Sequence, residues 1–487
     1  MSRLTQTIAF FILIFAFTTS LGAQNRYSYQ MLVGQQRDGG VFLDVIHMPG
    51  SEPGNTRVII LHRLNHSYLT FRRQVIQNPE NIQTRFTSDV SITYDFYNSS
   101  SDPVPREPYL YRETWSGSVT VTDFSETTDE DRYLAGVTVL EIPADTYRLL
   151  PVIQINGREV TGARAEALRG GRAATQMAPL RGRRAAREAR EAEQRRGIME
   201  VPDLSTDAFA RMTLLGAAND TLTVRNHGRN VNFGEDFDLL ISYPSAMQAD
   251  SLELRVFNTG NRASSETGQS SQIYSAFIDP SYQLYHGSPQ FISDSSLIKL
   301  DFAEDTRLKH HRITVPNHRF ANAWYHAEVY SWHDGTAEKV GERSWQSRWF
   351  DMPVSLLNLD VAIDMMRFIV DPDELRQVRR SNLEEKETWF REFWSTRNPT
   401  PETEYNELMA EYYRRIDYAF ENFSTPTTVG FESDQGRVYI VYGPPEDVDR
   451  RLPAGGTTTE VWTYPEQQFI FTATSGFGDF QLVQPTQ

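Results

Sequence analysis

The chain has 487 residues, enough for about three folding units at roughly 150 residues each, so a single small module is excluded. Its 39% hydrophobic and 23% charged residues are those of an ordinary globular protein and exclude a polytopic membrane protein. With 48 basic against 64 acidic side chains the net charge is -16, which repels phosphate backbones and argues against nucleic acid as a partner.

Residues 1–23 read as a secretory signal peptide: Arg3, an apolar run from Ile8 to Phe17, then small residues up to Gly22 and Ala23. The mature chain is expected to start near Gln24, and the apolar run is short of the roughly 20 residues that span a bilayer. The expected location is extracytoplasmic: periplasm, outer membrane or exterior, with no transmembrane span after cleavage. The sequence has no cysteine, which excludes disulfides, a thiol nucleophile, a thiolate metal site and a lipobox; the protein is not expected to be a lipoprotein.

Residues 24–157 alternate apolar and polar side chains in short runs, among them Val58 to Leu61, Val90 to Tyr94 and Gly117 to Val121. This pattern predicts an antiparallel, immunoglobulin-like β-sandwich, closed by a turn at Pro143, Ala144 and Asp145. Residues 158–200 form an insertion or linker: residues 158–196 hold 11 Arg, 5 Glu and no Lys or Asp, a charge of +6. They are too poor in apolar residues to bury a helix face, and their positive charge suits an anionic partner. Strand patterns resume over residues 201–355, at Phe237 to Tyr243, Leu252 to Phe257 and Tyr325 to Trp332, and predict a second sandwich. A polar stretch from Asn258 to Gln272 reads as a loop, and Trp324, Tyr325, Trp332, Trp345 and Trp349 read as a packed junction rather than a ligand platform.

Over residues 356–487 the period changes. Asp371 before Pro372 is a helix start, and Ser381 with Glu384 has capping-box spacing. Tyr405, Leu408, Met409, Tyr412, Ile416, Ala419, Phe420 and Phe423 lie on one helical stripe. After Pro426 strands are expected, the first from Arg437 to Tyr442, so the whole is mainly β and multidomain, with two sandwiches followed by a small α+β domain.

This last region carries Trp389-Phe390-Arg391-Glu392-Phe393-Trp394, Arg397-Asn398-Pro399-Thr400-Pro401, Tyr412-Tyr413-Arg414-Arg415-Ile416, Gly430 through Pro445, Glu460 to Tyr464, and Gly478-Asp479-Phe480. Together these resemble the bacterial GWxTD domain family, over roughly residues 356–485. Phe431 stands where the family has Trp and Ser433 where it has Thr, both keeping the chemical type. The resemblance implies an exported protein and no established activity, cofactor or ligand.

Read as residues alone, Gly430, Phe431, Ser433, Asp434, Gly436, Arg437, Tyr439, Gly443, Pro444 and Pro445 form a turn recipe. Gly430 and Gly436 would tolerate positive φ, Asp434 would accept a backbone N–H two residues on, and Phe431 would insert against Tyr412 and Phe420. The rival reading takes Glu432, Asp434 and Glu446 as acid, base or nucleophile of a hydrolase acting on wall or glycan polymers, with Arg437 and Tyr439 orienting substrate. The histidine groups, His62 with His66, His310 with His311, and His318, His326 and His333, lack metal-ligand spacing, so no metal and no cofactor is expected. The expected role is a non-catalytic envelope interaction or scaffold protein with a protein partner.

Overall fold

The computed structural model describes residues 40–78, 81–100, 107–160, 197–205, 208–216, 222–260, 271–278, 285–293, 297–451, 457–473 and 480–486, with Tyr29 and Leu32. The predicted leader, residues 161–196 of the Arg-rich segment, and Gly478 and Asp479 lie outside the described residues. The chain divides into two compact units, Asp38–Arg348 and a second composed of Met1–Arg37 with Trp349–Gln487.

The larger unit is built from antiparallel sheets, as the alternation predicts, with one short parallel pairing between Asn230–Asn232 and Gln346–Arg348. Val41–Pro49, Asn55–Asn65 and Tyr133–Pro143 form one sheet. It faces a second sheet centred on Asn81–Asn98 and Asp145–Ile155, and Val58, Ile60, Ile92, Tyr94, Phe96 and Ile153 fill the space between. The other pair is a seven-stranded sheet containing Phe237–Pro244 and a five-stranded one containing Trp324–His333, packed over Leu239, Ile241, Leu254, Val329 and Trp345.

A third core explains why both sandwiches fall in one unit. Ile46, Met48, Ile59 and Leu61 on the outer face of the first sandwich meet Leu215, Val224, Leu240, Ile298 and Leu300 on the outer face of the second. Strands serving two cores are apolar on both faces. Phe237–Pro244 is buried at every position, and Asn55–Asn65 at eight consecutive positions from Val58 to Asn65. Between the sandwiches Arg343 pairs with Asp44 and donates from Nη1 to the Met212 carbonyl at 2.8 Å. Their side chains are only 9% and 2% exposed, so the pair is a desolvated charge contact.

Two expected limits shift. Ile198–Val201 pairs with Asp145 to Arg148, so the chain rejoins the first sandwich before entering the second. Arg158–Glu159 pairs with the same strand, which makes the Arg-rich segment an insertion between two strands of one sheet. The expected loop from Asn258 to Gln272 is strand at both ends, Asn258 pairing with Ser271.

Among the described residues of the smaller unit's C-terminal part, the helices Leu359–Met365 (α1), Pro372–Arg380 (α2), Leu383–Ser395 (α3), Glu407–Phe423 (α4) and Asp434–Tyr442 (α5) precede the four-stranded sheet Asp447–Arg451, Thr459–Thr463, Gln468–Ala473 and Phe480–Thr486. Asp371 caps α2 ahead of Pro372 as expected. The capping box of α3 is Asn382 with Glu385, one residue beyond the expected pair, because Ser381 ends α2 by donating its N–H to the Val378 carbonyl. On α4 Tyr412, Ile416 and Ala419 are buried as predicted, whereas Leu408 is exposed and Tyr413 takes a fully buried place. Among the described residues no helix is long and apolar enough to cross a membrane.

Candidate functional site

The signature region is a helical turn, Gly430–Glu432, feeding directly into α5. The expected strand from Arg437 to Tyr442 is therefore helix. Its Val-Tyr-Ile-Val composition favours a strand, but a cap at one end and packing against α4 override that preference. Ser433 is the cap: its Oγ accepts the Gly436 N–H at 3.0 Å and donates to the Gly430 carbonyl at 2.7 Å. Asp434 does not make the expected local turn bond. It begins α5, where a carboxylate suits the helix dipole, and Oδ2 accepts the Leu482 N–H at 2.9 Å, tying the helix to the last strand.

Neither Gly430 nor Gly436 has positive φ; that conformation belongs to Gly443, at +82°, where α5 ends before Pro444 and Pro445. The two signature glycines are needed for close approach instead. A methyl on Gly430 would overlap the Ala419 carbonyl of α4, and one on Gly436 would overlap the Gly430 carbonyl. Phe431 inserts as predicted: fully buried, it stacks on Phe420 with centroids 6.1 Å apart.

The three candidate carboxylates have separate surroundings. Glu432 pairs with Arg367 at 3.3 Å, and Asp434 is bonded to the last strand. Glu446 is exposed beyond the far end of α5, a nine-residue helix whose rise is about 12 Å. Arg437 is exposed on α5, and Tyr439 stacks on Tyr418 at 4.3 Å, inclined 13°.

Two acids with desolvated carboxylates in this unit escaped the sequence reading, Glu460 buried and Asp417 half-buried. Glu460, 9% exposed, accepts from Gln435 Nε2 at 2.7 Å and Trp462 Nε1 at 3.4 Å. The alternation of Thr459–Thr463 carried that signal, since it places Glu460 on the face of buried Trp462. Asp417 lies on α4 between Ile416 and Phe420. One oxygen accepts the Val354 N–H at 2.8 Å, the other the hydroxyl of Tyr29, 388 residues away in sequence. Burial, with some repulsion from Glu421, pushes the Asp417 carboxyl up to about 6.

The histidines are mostly structural. His62 is fully buried, edge-on to Trp115 at 4.3 Å and bonded to Tyr94 Oη at 3.1 Å, and burial pushes it down to about 3. His66 is bonded to the Glu126 carbonyl, and His310 lies between Ser242 Oγ and the Gly287 carbonyl. His326, Glu328 and Glu342 converge to metal-ligand distances. There the Lys339 ammonium already reaches Glu328 at 3.4 Å and Glu342 at 2.9 Å, so the chain supplies its own cation. Asp250, His333 and Asp334 form a second such group, wholly exposed. Of the five aromatic residues read as a packed junction, Tyr325 and Trp345 belong to the core of the second sandwich, Trp349 packs on Tyr405, and Trp324 and Trp332 are half-buried, so they do not form one cluster.

Residues 355–482 match the family model of the GWxTD domain. No curated protein matches the chain. Among solved structures, the C-terminal domain of the Streptococcus pyogenes antigen I/II-family protein AspA is similar over 63% of this chain and 99% of that one. The identity is 7% and the TM-score 0.14, a likeness too slight to carry an argument about fold or function.

Proposed function

We propose that this chain, whose residues 355–482 match the GWxTD domain, is an exported, non-catalytic interaction or scaffold protein of the bacterial envelope. The observation that carries the reading is the Ser271–Ile278 strand. Among the described residues it is the end strand of its five-stranded sheet, and it turns Phe277, 66% exposed, and Ile273, 41% exposed, to solvent. Open backbone groups beside outward apolar side chains suit a protein segment adding as a further strand. The signature supports the same reading, because Ser433 and Asp434 are occupied in joining elements and Glu432 in an ion pair. The Arg-rich insertion adds a basic contact for an anionic partner.

The test is in-situ crosslinking and co-purification with tagged mature protein. Phe277→Lys with Ile273→Lys is expected to lose the protein partner while the melting temperature holds, and deletion of residues 161–196 to lose only salt-sensitive partners. Asp434→Ala is expected to lose about 1 to 2 kcal/mol of stability and keep the partner. Recovery of wall or glycan fragments, with turnover abolished by Asp434→Ala at an unchanged melting temperature, would establish the hydrolase instead.

A further inference from the structure

The smaller unit holds two buried side chains that come from the other end of the chain. Tyr29 is 1% exposed and Leu32 8%, and both belong to the core formed by Val354, Ile416, Ala419 and Phe431. Spaced three apart in helical conformation, they share one face. The Tyr29 ring lies 4.5 Å from Phe420 and 5.6 Å from Phe431, so it covers the aromatic residue of the signature. Its hydroxyl donates to Asp417, whose second oxygen is held by the Val354 N–H. An aromatic wall with a carboxylate at its end is a slot for a phenol: the ring buries apolar area and the hydroxyl satisfies an acceptor that burial would otherwise leave short.

We infer that this slot is a peptide-binding site of the GWxTD unit, specific for a segment with Tyr and Leu three residues apart, and that the chain's own N-terminal segment is its resident ligand. The slot residues, Asp417, Phe420, Phe431 and Val354, all come from the C-terminal part, and the ligand reaches them only through the chain leading to Gly40. Cutting that connection turns an intramolecular contact into an exchangeable complex. This inference does not depend on the Ser271–Ile278 edge.

The test uses the full mature chain with one protease site placed between Leu32 and Gly40. After cutting, the N-terminal peptide is expected to co-elute with the body in gel filtration. A labelled synthetic peptide of residues 24–37 is expected to exchange into the cut protein, and the same peptide carrying Tyr29→Ala to bind at least about thirtyfold more weakly. Tyr29→Phe is expected to fall between them. The inference is overturned if the peptide leaves at once from a body that keeps its circular dichroism and melting temperature, or if the Tyr29→Ala peptide binds as well as the parent. Collapse of the body on cutting also overturns it, since the segment is then an integral core element and not a ligand.

Discussion

Asp417 is a carboxylate placed in an apolar helix stripe, and its titration is a direct reading of that placement. Burial and Glu421 raise its pKa to about 6, above the ordinary carboxylate value, while the Tyr29 hydroxyl and the backbone N–H of Val354 pull the other way. A raised pKa means that the folded protein holds this proton more tightly than the unfolded chain. The ionised form therefore costs stability above pH 6, on the order of 3 kcal/mol. That cost fades as pH falls through 6 and is gone below the unfolded value near 4. Thermal melts between pH 4 and 7 are expected to show a component that rises on acidification and disappears in Asp417→Asn; an unchanged pH profile in that variant would contradict the assignment. Asp417 stands in the sequence beside the stripe residue Ile416, although nothing there marks it as desolvated. Its partner is not marked either, because nothing local ties position 29 to position 417.

At the scale of elements, the junction of α4, the Gly430–Glu432 turn and α5 is a stack of close backbone approaches. Gly430 admits the Ala419 carbonyl, Gly436 admits the Gly430 carbonyl, and Ser433 bonds to both glycines. Gly430→Ala is expected to cost more than 2 kcal/mol, since backbone and not a flexible side chain occupies the space. Ser433→Ala is expected to cost about 1 kcal/mol and Ser433→Thr to restore most of it. Chemical denaturation of the three variants checks both numbers. The importance of these positions was legible from their order in the sequence, but their physical reason was not. A glycine needed for positive φ and one needed for close approach look the same until the neighbouring element is in place. The same limit misassigned α5: Val438, Tyr439, Ile440 and Val441 have strand composition, and only the Ser433 cap with the α4 contact makes them helical.

On the scale of the whole molecule, the alternation in the sequence was sufficient for two sandwiches and a terminal α+β region. It did not disclose the core that joins the sandwiches, although the consecutive Leu239, Leu240 and Ile241, apolar on both faces, were a trace of it: a strand with one wet face alternates. The buried Asp44 and Arg343 pair sits at this join. Breaking it as Asp44→Ala is expected to destabilise the Asp38–Arg348 unit by about 3 to 5 kcal/mol, because Arg343 is left charged and dry. Asp44→Leu with Arg343→Met is expected to recover most of that loss. Calorimetry of single and double variants distinguishes a net attraction from a mere balance of desolvated charges.

That the smaller unit draws on both Met1–Arg37 and Trp349–Gln487 sets an order of events. During synthesis Tyr29 emerges among the first residues, while Asp417, Phe420 and Phe431 are added after some four hundred others. The intervening unit holds its three cores within its own sequence and is free to close as soon as it has emerged. The tyrosine must wait, exposed, until the end of the chain arrives. Maturation of this protein is therefore a race between the last helices and anything else that offers an aromatic slot, and a chain cut short before α4 has nowhere to put its beginning.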